Sequence, residues 1–139
     1  VKQRLALLAA ALWWGSLGTI GLLVVPMLFA HLATPAIAGG MAARLFSAQS
    51  WVSVACALVL LLASSSRGAT SPVAFAQTTV LFVMAGLLLA LLGEYAVAPR
   101  IVARENLRLW HSVGSGLYLL QWLCAGIVLW RAGRPAPRL

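Results

Sequence analysis

An all-α, polytopic membrane protein folded as a single four-helix transmembrane bundle is the fold class this sequence predicts. Three observations carry that expectation. The 139 residues are 63% hydrophobic and only 9% charged, whereas a soluble domain carries about 25% charged residues. The ten basic and two acidic side chains leave four charge-free runs, over 5–43, 45–66, 68–93 and 109–130. Each run exceeds the roughly 20 residues a helix needs to cross about 30 Å of hydrocarbon. The connections between runs are too short for another domain. Short connections make sequential helices antiparallel neighbours, so residues 1–139 read as one membrane domain.

Helix 1 is expected over about 5–30. Its start, "VKQRLALLAAALWW", has the basic opening of a signal peptide, and "AIA" at 36–38 resembles a cleavage site. The apolar stretch between them is far longer than the about 7–15 residues of such a peptide, so the reading is an uncleaved helix. Gly15, Gly18 and Gly21 recur every third residue. Small residues let a neighbouring backbone approach, and packing drives association in lipid. Pro26 lacks an N–H and crowds the preceding turn, so it bends the outer end.

Helix 2 is expected over about 35–63, with Thr34 as N-cap and Pro35 in its first turn. Gly39 and Gly40 offer a break point. Ser71 and Pro72 repeat the cap-then-proline signature, giving helix 3 over about 72–98, with Pro99 ending it. "RIVARENLR" is amphipathic and belongs at the membrane surface or in the first turns of helix 4, which covers about 105–130. Residues 131–139 read as a disordered tail.

The net charge of +8 raises nucleic acid as a partner, but the placement of the charges excludes it. Lys2, Arg4, Arg67, Arg131, Arg134 and Arg138 flank apolar runs at one end, where they meet lipid headgroups. A nucleic-acid surface needs a basic face on a folded domain. Arg44, Arg100, Arg104 and Arg108 fall at the other end. Lys and Arg favour the cytoplasm, so both chain termini are expected on the cytoplasmic side of an inner membrane. Cys56 and Cys124 lie in apolar runs without CxxC spacing and read as small buried hydrophobes.

Polar residues converge in height at the outer end. His111 precedes Arg131 by twenty residues, roughly 30 Å of helix. His31 closes helix 1, Arg44 lies near the outer end of helix 2, and Glu94 near that of helix 3. Three- and four-residue steps link Arg104, Arg108, His111, Ser115, Tyr118 and Trp122 on one face of helix 4. Met27 and His31 share a face of helix 1. Such groups usually turn into a bundle, because lipid offers no hydrogen bonds.

Three uses of that cluster are open. It is a structural polar cap or an accessory, interaction site, with Arg44 paired to Glu94 and Arg100, Ser115 and Tyr118 nearby. Alternatively His31 and His111 supply two axial imidazoles to haem b, with Arg44, Arg104 and Arg108 on its propionates. The third use is soft-metal, copper-like handling or export by Met27, His31, Met41 and His111, whose thioethers and imidazoles suit copper(I). An enzyme of the usual kinds is poorly served. The sequence has no Asp, Glu94 and Glu105 are its only carboxylates, and a Ser115–His111 pair lacks an orienting acid. A bilayer is the expected surrounding, with a homo-oligomer or a larger membrane complex as further association.

"LWWGSLGTIGLLVVPMLFAHL", "MAARLFSAQSWV", "EYAVAPRIVAREN" and "LWHSVGSGLYLLQW" together resemble the bacterial inner-membrane family called domain of unknown function 4149, similar to eukaryotic transmembrane protein 205. The resembling stretches contain Pro26, His31, Arg44, Glu94, Pro99, Arg100 and His111. The resemblance implies a small inner-membrane protein without an established activity. Its eukaryotic relatives are linked with resistance to platinum drugs. A more distant likeness to the copper-resistance protein D group, and to a haem-binding membrane oxidase of tetrapyrrole synthesis, implies metal or haem at His31 and His111.

Overall fold

A helix that is apolar all round needs lipid or protein on every side, and the described residues form four of them. The computed structural model describes residues 1–65 and 77–134. In it α1 spans Lys2–His31, α2 Pro35–Ser65, α3 Gln77–Val102 and α4 Leu107–Ala132. All four are long and apolar enough to cross a membrane. Leu8, Leu22, Leu81 and Leu119 are more than half exposed. In water such surfaces would aggregate, whereas in hydrocarbon they are the lipid contact.

Each helix packs on its neighbours in sequence, and α4 closes the ring on α1. The shared core joins Ala6, Ala10, Trp13 and Leu17 of α1 with Cys56, Ala57 and Leu60 of α2, Val83 of α3, and Ala125 and Val128 of α4. Small side chains dominate it, as expected where dispersion and close approach replace the hydrophobic effect. One of the two tightest approaches is at Gly86, where a Cβ would lie 2.7 Å from Cη2 of fully buried Trp13. Of the glycine triplet in α1, Gly18 and Gly21 receive Trp122 and Tyr118 of α4, while Gly15 has open space.

Two prolines sit inside spans and do not end them. Each follows a widened π-helical turn, Thr19–Val24 before Pro26 and Gly93–Val97 before Pro99. The Val25 N–H reaches the Ile20 carbonyl, and the Ala98 N–H reaches that of Gly93. One extra residue in the turn makes room for the proline ring and its missing donor. Helix 3 therefore runs past Pro99 to Val102, correcting the expected stop.

Other bounds also shift. α2 passes through Gly39 and Gly40 without a break, because its helical hydrogen bonds have no better partner in lipid. α4 begins at Leu107 rather than about 105, since Arg104 and Asn106 turn the chain with φ of 59° and 31°. The Asn106 side chain then accepts from the Leu109 N–H at 3.4 Å and caps α4. Arg131 and Ala132 belong to α4, not to a tail. The expected start of helix 3 at Ser71 and Pro72, and the tail over 135–139, lie outside the described residues.

Candidate functional site

The outer end, away from Lys2 and Ala132, gathers the residues singled out by the sequence. The short connections over 32–34 and 103–106 bring the end of α1 beside the start of α2, and the end of α3 beside the start of α4. His31, Arg44, Arg100, Arg104, Arg108 and His111 are all exposed there. They form a cationic rim rather than an inward cluster.

Their contacts are local. The His31 Nδ1 lies 3.0 Å from the Met27 carbonyl one turn back. The Arg100 guanidinium stacks 4.3 Å over the Trp110 ring and so ties α3 to α4. Glu94 is half-buried in the second π turn and accepts a 2.7 Å hydrogen bond from the Ser47 hydroxyl of α2. The expected Arg44–Glu94 ion pair is not among the bonds of the described residues. Arg44 is exposed, one turn before Ser47 on the same helix, where its long stem can carry the charge toward water.

The helix-4 face divides in two. Tyr118 and Trp122 turn inward, as the spacing predicts. The Tyr118 hydroxyl donates to the Leu17 carbonyl at 2.8 Å, and its ring meets Phe46 edge-on at 5.1 Å. Trp122 stacks on Trp14 with ring centroids 5.6 Å apart. Ser115 and His111, farther out, are exposed. Beyond its π turn, the Val25–His31 segment packs mainly on α2, so α4 loses its cover. Arg104 lies in the turn before α4 and shares no helical face with the others.

The donor sets for haem and copper gain nothing from this arrangement. His31 lies on a segment turned toward α2, while His111 opens α4. Met27 and Met41 are about half exposed. No cluster of three or more His, Cys, Asp or Glu suited to a metal occurs among the described residues.

A second polar group, not singled out by the sequence reading, occupies the bundle core. Gln49 and Ser53 of α2 and Gln121 of α4 are 2%, 0% and 5% exposed. Gln121 Nε2 donates to Ser53 Oγ at 2.8 Å, and Ser53 Oγ donates to its own helix at the Gln49 carbonyl, 2.9 Å away. Gln49 Nε2 donates to Ser16 Oγ at 2.9 Å, and Ser16 Oγ to the Trp13 carbonyl at 3.1 Å. The chain of bonds crosses the bundle diagonal from α4 to α2 and continues to α1. Lower down, Arg131 Nε donates to buried Thr79 at 2.8 Å and ties α4 to α3. The signal in the sequence was an amide within a charge-free run, since an amide in hydrocarbon must find a partner.

A comparison with family models places residues 8–109 in the domain of unknown function DUF4149. The chain belongs to this family. The match takes in α1, α2, α3 and the capping turn, and ends at Leu109, so His111, Ser115 and Tyr118 lie beyond it. No curated protein and no solved structure gives a significant match. The likeness to transmembrane protein 205 therefore rests on the quoted stretches alone.

Proposed function

We propose that this membrane protein is an accessory, interaction protein of the bacterial inner membrane whose working surface is its outer rim. The observation that carries the reading is the exposure of His31, Arg44, Arg100, Arg104, Arg108 and His111 at one end. The rim's exposed carboxylate is Glu105, since Glu94 is half-buried and bonded to Ser47. Such a surface attracts an anionic partner, chiefly through association rate and orientation. The core beneath is held by the glutamine–serine bonds, which suits a rigid platform. Read from the sequence alone, six basic residues flank the apolar runs on the side of the termini against four on the other, which favours cytoplasmic termini and a rim on the far side.

A photo-crosslinking residue placed at exposed Glu105 in living cells tests this. A discrete protein adduct at the rim, absent from lipid-facing Leu58 and lost in an R100Q/R104Q/R108Q variant, is expected. The same adducts from Leu58, or none at the rim, would overturn it. The haem and copper readings meet their test in the same cells. An absorption spectrum and metal analysis of gently purified protein, compared with His111→Ala, would have to show a histidine-dependent Soret band or stoichiometric copper.

A further inference from the structure

At the opposite end, a groove of about 420 Å³ runs along the α1–α4 seam. Trp14, Trp122, Gly126 and Trp130 line its length, and Arg131 and Arg134 stand at its end. The groove has a cause in the sequence. Gly126 presents no side chain, so the Trp14 indole lies against its backbone, and the stacked Trp14 and Trp122 form the groove wall. Trp130 is 71% exposed, the placement of an aromatic at the lipid–water boundary.

We propose that this groove is a binding site for one anionic phospholipid. The spans that build it lie in a bilayer, so the medium along the groove is lipid. Its apolar length suits an acyl chain, and its cationic end suits a phosphate. Arg131 is already held by its Nε–H on Thr79. Its Nη groups engage no other described residue. A guanidinium fixed at one edge loses little entropy when its other donors fork onto a phosphate. Arg134, exposed on the turn after α4, adds a second charge at the same height.

Quenching of tryptophan fluorescence by brominated lipid tests the site in the intact protein. The protein is reconstituted in phosphatidylcholine vesicles containing either brominated phosphatidylglycerol or brominated phosphatidylcholine. The expected result is a preference for the anionic lipid of about fivefold per arginine. Against a Trp110→Phe background, which removes the indole beside the rim arginines, R134Q leaves the Arg131–Thr79 bond intact and should remove one such factor, and R131Q/R134Q should bring the two lipids to parity. Equal quenching by both lipids in the unaltered protein overturns the proposal, and a groove covered by a second copy of the chain would give that result. A preference that survives in R131Q/R134Q also overturns it.

Discussion

Replacing Gly86 by alanine tests the packing of the bundle where α3 meets Trp13. The new Cβ would stand 2.7 Å from Trp13 Cη2, 2.9 Å from Cζ2 and 3.5 Å from the Cys124 Cβ. Carbon atoms prefer about 3.5–4.0 Å, so the indole or the helix must move by nearly 1 Å. Trp13 is fully buried at the centre of the core and has nowhere to go. Overpacking of this kind costs about 1–3 kcal/mol, and the better helix propensity of alanine returns up to about 1. A net loss of about 1–2 kcal/mol is expected in reversible unfolding from mixed micelles, followed by circular dichroism. Gly15→Ala is the control, since nothing lies within 4 Å of its added Cβ, and it should be neutral or slightly stabilising. Trp13→Phe removes the two indole carbons that clash and also a buried indole N–H without a partner. The double variant G86A/W13F should therefore be more stable than the sum of its parts by about 1 kcal/mol. If Gly86→Ala behaves like Gly15→Ala, or if the pair shows no coupling, the close approach of α3 to Trp13 is wrong.

Ser53→Ala removes the acceptor of Gln121 and leaves a buried amide donor behind, so a cost of about 1–2 kcal/mol is expected in the same assay. Adding Gln121→Leu should recover part of it, because the stranded amide is gone. Asn106→Ala loses both the α4 cap and a residue tolerant of positive φ and should cost about 1–2 kcal/mol, while Asn106→Gly should cost only a few tenths. Equal losses for the two Asn106 variants would contradict the capping geometry.

The spans were legible because a bilayer forbids stray charges. Placement of ten basic and two acidic residues located four helices without any knowledge of their packing. Asn106 was harder to read, since its left-handed turn follows the end of α3, which could have run on into α4. The core network was missed for a different reason. Gln49, Ser53 and Gln121 carry no charge, so a search for ionisable groups passes over them, although burial makes their pairing obligatory. Close packing was half-read. The triplet of glycines in α1 is real as a pattern, but only Gly18 and Gly21 meet a bulky aromatic from α4. Spacing marks which residues are small and does not say which of them has a large partner opposite.

The outer end was misjudged because face assignments assume an unbroken period. At 3.6 residues per turn, one additional residue turns everything beyond it by about 100°. The widened turn at Thr19–Val24 lies between the inner part of α1 and His31, so a phase carried up from Trp13 and Leu17 no longer applies at Met27 or His31. The Val25–His31 segment then leans on α2, and the partner expected over His111 and Ser115 is not there. Glu94 lies inside the second widened turn, where regular spacing also fails. Its partner is Ser47, a neutral hydroxyl on the neighbouring helix, rather than the arginine one turn away. Both departures have the same origin in a proline just past the turn. The two residues that look like helix breakers are therefore the ones that re-aim the outer end, exposing its cations while the spans continue.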